Sequence, residues 1–306
     1  CTASIGEAQD DTVFDVASLT KIATATIILQ LISKKKLNPG DEILSVLPLL
    51  GGDGTLRKRL ASVTIYALLT HTSGIVDWYP FYAEKGKPFE EVLSIALKRY
   101  DPVEGMVYSD LNFMLLGKVV EAIYGKPLDA CLTEHLVTPY AFGTMTYRPD
   151  SSWDIAPSSF GNPIEEGMCA ERGIKFDGWR PHTPIRGEAN DGNAHYYFGG
   201  VAGSAGVFAS PEAYENLGRL YLTTDDETLI VSQREHEQTR GLGWQTGEMY
   251  PQGCGHTGFT GTSIYISRDL GVGAVAFTNR LLMETPHAGG INEFRAALHK
   301  AIVESL

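Results

Sequence analysis

Cysteine is scarce in this chain and never clustered. Cys1, Cys131, Cys169 and Cys254 are the only four in 306 residues, and no two of them form a C-x-x-C pair. A disulfide framework or a thiolate zinc site needs closer spacing; Cys254 stands two residues before His256 and Cys131 four before His135, and neither pair alone supplies the four ligands of a zinc site. Cys1 could serve as an N-terminal nucleophile with its own α-amine as base, but Thr2-Ala3-Ser4-Ile5-Gly6 lends that no support. Long apolar runs are absent too. The most apolar stretch, Ile22 to Ile32, contains two threonines and a glutamine. It is shorter than the roughly 18–20 residues that cross a bilayer, so no membrane span is expected. Positive charge is in deficit: 25 Lys and Arg against 37 Asp and Glu give −12, and no basic block is longer than a triplet such as Lys34-Lys35-Lys36. A surface of that sign repels phosphate backbones and anionic lipid, which argues against nucleic acid as a partner. There is no repeat, no low-complexity linker and no stretch that reads as a signal peptide.

What remains is ordinary globular usage, 43% hydrophobic and 20% charged. That excludes disorder, collagen and coiled coil, and the length suffices for a real core. Helical signals dominate first. Ile22, Ala25, Ile28, Leu29 and Ile32 follow the 3.6 period and predict a helix over Ser18–Lys36, stopped by Asn38-Pro39-Gly40. Shorter helices are expected over 64–70, 89–99 and 109–123. From 150 to 198 the chain is rich in Pro, Gly, Ser, Asn and Trp without a period, and reads as one long functional loop. A helix over 211–222 follows, then strands over 241–249, 255–267 and 271–277 with a hairpin turn at Arg268-Asp269-Leu270-Gly271, and a closing amphipathic helix over 291–306. Helices first and antiparallel strands last predict an α+β fold. It reads as a single catalytic domain over 1–306, with a helical region of about 18–198 and a sheet region of about 199–306 plus the N-terminus.

Several short patterns could carry chemistry. Ser18 and Lys21 are three apart, so they lie on one face at a helix start, where free N–H groups favour developing negative charge. A desolvated lysine there can lose its proton and deprotonate the serine. Plain N-capping by Ser18 explains the same pattern. A second S-x-x-K, Ser33 to Lys36, reads as surface. Tyr108-Ser109-Asp110 stands at a helix start, either as a reacting tyrosine or as a core-edge tyrosine followed by a cap. His256-Thr257-Gly258 falls in a strand region where glycine allows close approach of a ligand or marks a bulge. His71 alone reads as structural.

Taken in order, these motifs resemble those of the serine β-lactamases and penicillin-binding proteins, and more narrowly the class C β-lactamase-related serine hydrolases and esterases. The segments that carry the resemblance are Phe14 to Lys21, Leu68 to Gly74, Tyr108 to Phe113, Gly199 to Gly203, His256 to Thr262 and Phe277 to Arg280. The resemblance implies an antiparallel sheet flanked by helices, with the site in the cleft beside a mostly helical region. It implies Ser18 as the acylated nucleophile, Lys21 as general base or as the group that keeps the base deprotonated, and Tyr108 as proton relay. It places the oxyanion hole at the N–H groups of Ser18 and Phe259, and substrate contacts at Asp110, His256, Thr257 and Gly258. No metal or cofactor is called for. The expected substrate is a small ester, amide or peptide.

Four departures from the family pattern matter. His256 stands where many relatives have lysine, and would be about half charged near pH 6.5; this favours esterase or D-amino-acid peptidase action over efficient β-lactam hydrolysis. Asp110 replaces an asparagine and could pair with Lys21, which would keep Lys21 protonated and shift the base role to Tyr108. Asn190 and Ser204 stand where relatives often have histidine. Only 17 residues precede Ser18, where relatives carry some tens, so the first strands are expected to be short or missing and an exposed sheet edge would invite pairing with another chain. The alternative function is a catalytically inactive penicillin-binding-like module that binds peptide or cell-wall fragments.

Overall fold

The computed structural model describes residues 2–282 and 290–306. Cys1, named above as a nucleophile candidate, lies outside them. Helix α1 (Thr20–Ser33) forms the centre, and its sequence explains why. Beside the expected stripe, Ala23, Ile27 and Leu31 place apolar side chains on the other faces, and every residue from Thr20 to Leu31 is buried. A helix that is apolar all round belongs inside a core. Its polar groups bond within the protein: Thr26 Oγ donates to Ile22 O at 2.6 Å and Thr24 Oγ to Gly203 O at 2.9 Å. The helices Asp110–Tyr124 and Glu227–Ser232 pack against it.

Two small antiparallel sheets complete an α+β architecture. The first has the order β1 (Phe14–Asp15), β3 (Phe208–Ala209), β2 (Met145–Thr146), with Phe14 opposite Ala209 and Thr146 opposite Phe208. It delivers the chain into Ser18. The second has the order β4 (Cys254–Thr257), β5 (Ser263–Ser267), β6 (Val272–Ala276), with His256 opposite Ile264 and Tyr265 opposite Ala274. Among the described residues no helix is long and apolar enough to cross a membrane.

The expected helices over 64–70, 89–99, 109–123 and 211–222 stand at Ile65–Leu69, Phe89–Arg99, Asp110–Tyr124 and Pro211–Thr223. The Asp110 helix ends at Gly125 in the left-handed conformation that glycine adopts at little cost, φ 64°. Three expectations fail. The segment 241–249 is not a strand: Gly243 and Gly247 take φ 84° and 101°, and only isolated bridges form there. The segment 255–267 is two strands, because Gly258 and Gly261 turn the chain back and Gly258 N–H donates to Thr262 O at 2.7 Å. The long loop over 150–198 contains the helix Pro163–Glu171, begun by a proline at its first position and two glutamates in its first turn.

The segment that follows this loop passes very close to the Asp110 helix. Gly203 lies against Gly117, and a Cβ at Gly203 would overlap the carbonyl oxygen of Phe113. Gly203→Ala is therefore expected to destabilise the protein by about 1–3 kcal/mol through overpacking. Gly51, with open space around it, should accept alanine without measurable change. Calorimetric unfolding of both variants checks this; equal melting temperatures would contradict the close approach.

Candidate active site

Between Thr12 and Leu31 a single residue is not buried, and it is Ser18. The chain reaches it through a strained turn. Ala17 takes φ 48°, a conformation that costs a non-glycine residue on the order of 1–3 kcal/mol. Asp15 holds the turn: one carboxylate oxygen accepts the Ala17 N–H at 2.8 Å, and the other accepts the Asn190 N–H at 2.6 Å. Burial pushes the Asp15 carboxyl up to about 6, against these two N–H groups and Arg180, which pull it down.

Lys21 lies one turn beyond Ser18 and is wholly buried. Its Nζ lies 3.0 Å from Ser18 Oγ, 3.0 Å from Ser204 O and 2.7 Å from Asp110 Oδ1. Three acceptors match the three hydrogens of an ammonium. Burial alone would favour the neutral amine, but Asp110 and the Tyr108 phenol outweigh it and hold Lys21 above its ordinary value. Lys21 thus rests charged, donates to Ser18 and has Asp110 as counter-ion.

Tyr108 is placed by His71. That residue ends the helix Ile65–Leu69 in a left-handed conformation, φ 60°. Its ring lies 4.7 Å from the Tyr108 ring, and its Nδ1 accepts the Ser109 N–H at 3.0 Å. Burial, helped by Arg240 and Lys21, keeps His71 neutral by holding it well below its ordinary value. Ser109 occupies the cap position of the next helix, but its hydroxyl donates to Val76 O at 2.7 Å instead of capping. Lys21 Nζ stands 5.0 Å from the centre of the Tyr108 ring and the Arg240 guanidinium 5.2 Å from it.

His256 departs from what its sequence context suggests. It is 1% exposed. Its Nδ1–H donates to Thr257 O at 2.9 Å, and its Nε2 has no partner among the described residues. Burial first, then Lys21 and Arg240, hold it well below its ordinary value. The half-charged state expected near pH 6.5 is thereby displaced downward, which disfavours the protonated ring that would attract a carboxylate. The cation with free donors is Arg240. It is 9% exposed, and its Nε and Nη1 have no partner among the described residues.

The Gly258–Thr262 turn after β4 is bonded to the approach to Ser18. Thr260 Oγ donates to Asp15 O at 2.7 Å, and Thr262 Oγ to Val16 O at 2.9 Å. From the closing helix Ile291–Glu304, Arg295 donates to Gly258 O at 2.9 Å and to Thr262 O at 2.8 Å. Among the described bonds neither the Ser18 N–H nor the Phe259 N–H is used. Ser18, Lys21, Tyr108 and Asp110 therefore meet in one cluster with His256, and the Phe259 turn is tied to its edge. Sequence reasoning did not single out Asp15, Arg240 or Arg295, and gave no reason for Ser204. Arg240 and Arg295 are lone residues with no motif around them and carry no local signal of this kind.

The beta-lactamase family model matches residues 2–297. The N-acetylmuramyl-L-alanine amidase of Bacillus subtilis (strain 168) is 28% identical over 305 residues, which is 88% of this chain and 68% of that protein. A protein of Escherichia coli (strain K12), provisionally named a D-alanyl-D-alanine carboxypeptidase, is 28% identical over 294 residues, covering 84% of this chain and 66% of its own length. The chain thus spans about two thirds of these curated relatives. A solved class C beta lactamase from Rhodobacter sphaeroides shares the fold with a TM-score of 0.67 at 15% identity, over 97% of this chain and 87% of that one.

The neutral, buried state of His256 has a pH consequence. A depressed folded pKa gives stability that is present above the unfolded value of about 6.5 and is lost as pH falls below it. Imidazole NMR should show His256 neutral and protonated on Nδ1 at pH 7, with its midpoint displaced well below 6.5. A midpoint near 6.5 would contradict the assignment.

Proposed function

The chain belongs to the beta-lactamase family and is an enzyme of the serine-hydrolase type; on that premise we propose that it transfers acyl groups through Ser18, from amides or esters that carry a free carboxylate. The observation that carries this reading is the Lys21 ammonium, fully buried and 3.0 Å from the one accessible hydroxyl of its segment.

Ser18 Oγ adds to the substrate carbonyl carbon while Lys21 holds that oxygen in line. All three Lys21 hydrogens are engaged, so the proton leaving Ser18 goes to Tyr108 Oη. The negative charge that this oxygen must carry to accept it lies between Lys21 and Arg240. The carbonyl oxygen becomes an oxyanion and takes the N–H groups of Ser18 and Phe259. A donor of this kind lowers such barriers by about 3–4 kcal/mol. The adduct then collapses, the bond to the leaving nitrogen or oxygen breaks, and Tyr108 returns the proton to that atom. Water adds to the acyl-Ser18 carbonyl, gives its proton to Tyr108, and Ser18 regains a proton as the acid departs.

Arg240 supports the finer reading of the substrate. Its unpartnered Nε and Nη1 are charge-assisted donors that a carboxylate oxygen can accept from. Because it lies against Tyr108, the carboxylate sits on the leaving-group side. Thr257 and Gly258 border the reacting carbonyl. Asp110 acts as the counter-ion of Lys21, and His256 as the neutral wall between them. The amidase and carboxypeptidase names of the relatives agree with an amide substrate. The free edge of β6, half-exposed and with one strand neighbour among the described residues, is the place for self-association; sedimentation that gives the same monomer mass at low and high concentration would exclude it.

A fluorophosphonate probe should label Ser18 alone, and Ser18→Ala should abolish both labelling and hydrolysis. Ser33→Ala should change neither, although Ser33 also begins an S-x-x-K. Loss from both variants, or a label elsewhere, would overturn the assignment. An unlabelled, folded protein would favour the binding-module alternative. Arg240→Gln should raise KM for a carboxylate-bearing amide about ten- to a hundredfold, the value of roughly 1.5–3 kcal/mol for a charge-assisted bond, with a much smaller effect on a neutral ester. Equal effects on both substrates would remove Arg240 from carboxylate recognition.

A further inference from the structure

Beside Phe259 lies a cavity of about 500 Å³ that neither Tyr108 nor Arg240 lines. That size is within the range of small-molecule sites, roughly 300–1,000 Å³. The helix Pro163–Glu171 and the loop before it form one wall, with Phe160 and Ile164; Phe259 and Leu281 form the other. Phe160 and Phe259 are each 38% exposed, a large apolar area for two residues that face one cavity.

The polar groups of this cavity are already satisfied. Asn162 donates to Asn190 O at 2.7 Å and accepts from Arg180 Nε at 2.7 Å. Asn190 Nδ2 donates to Ser159 Oγ at 2.6 Å, and Ser159 Oγ donates to Gly161 O at 2.8 Å. Glu165 accepts from Gly192 N–H at 2.7 Å and from the Tyr82 hydroxyl at 2.9 Å. Burial, then Asp191, pushes the Glu165 carboxyl up to about 8, which weakens its negative charge. At the rim His182 and Glu166 pair with each other at 3.0 Å. A ligand entering here finds carbon surface and few free donors or acceptors.

We infer that this cavity receives an apolar acyl group of the substrate, medium-chain or aryl, and that Phe160 and Ile164 set its preference. The inference rests on the reading of Ser18 as nucleophile and Phe259 as oxyanion donor. With the leaving group directed at Tyr108 and its carboxylate at Arg240, the acyl substituent projects past Phe259. Pocket and oxyanion donor share that one residue, so a group bonded to the reacting carbonyl enters the cavity without a linker.

Two measurements test this, and they separate the pocket from the chemistry. The first is kcat/KM for p-nitrophenyl acetate, butyrate, hexanoate and octanoate. Each methylene that enters should raise it about fourfold, the equivalent of ~0.8 kcal/mol per buried CH₂. Phe160→Ser and Ile164→Asn should each lower the octanoate-to-acetate ratio at least tenfold. Leu49→Ala, at a surface residue 87% exposed, should leave that ratio as it is. A flat series in the wild type overturns the pocket while the serine hydrolase stands. The second uses Ser18→Ala protein, which needs no turnover. Calorimetry should show N-octanoyl-D-alanine binding at least tenfold more tightly than N-acetyl-D-alanine, with the difference removed by Phe160→Ser. Equal affinities, or a difference that survives Phe160→Ser, would overturn the inference whatever the activity of Ser18.

Discussion

The ammonium of Lys21 is the constraint on which the rest of the site depends. A charge taken wholly out of water costs several kcal/mol unless partners replace its hydration. Here all three hydrogens are matched, and each partner comes from a different part of the chain: Ser18 from the turn before α1, Asp110 from the start of a distant helix, and Ser204 from the segment beside Gly203. Removing any one of them leaves a buried donor without an acceptor. The close packing of Gly203 against Gly117 therefore also bears on the site, because it fixes where Ser204 O lies. The ion pair decides the chemistry as well as the position. With Asp110 as counter-ion, Lys21 donates to Ser18, and in the proposed reaction Tyr108 is left as the acceptor of the serine proton.

A second set of bonds holds the other half of the site. The turn with Phe259 has no packing partner in its own motif. Thr260 and Thr262 fasten it to Asp15 and Val16, and Arg295 grips two of its carbonyls from the last helix. Asp15 holds Ala17 in its strained turn from the other side. The two N–H groups proposed for the oxyanion hole are thus set by a strand end and a helix start, each braced by buried polar bonds. Pre-organised donors of this kind need little rearrangement when charge develops.

Much of this was legible in sequence, in a graded way. Ser18, Lys21, Tyr108 and His256 are found because each lies in a short ordered motif, and local spacing survives folding. The apolar period of α1 identified the helix, though not that it would be buried on every side, which depends on what packs around it. The segment 241–249 is not a strand because Gly243 and Gly247 take positive φ, a conformation that the residue types alone do not announce. The downward displacement of His256 is not legible in sequence, because burial and the neighbouring cations Lys21, Arg240 and Arg295 are tertiary facts. Arg240 and Arg295 are single arginines with no pattern around them; only the fold brings one to Tyr108 and the other to the Gly258 turn. The helix Pro163–Glu171 hid within a stretch rich in loop residues, and with it the wall of the apolar cavity.

The protonation state of Lys21 is the central claim, and it can be observed directly. In protein labelled with ¹⁵N-lysine, the side-chain nitrogen of Lys21 should resonate as a slowly exchanging ammonium from pH 6 to pH 9, correlated to three protons, and should be absent from the spectrum of Lys21→Met. A neutral amine at pH 7, or a nitrogen that titrates within that window, would contradict the account and return the role of base to Lys21.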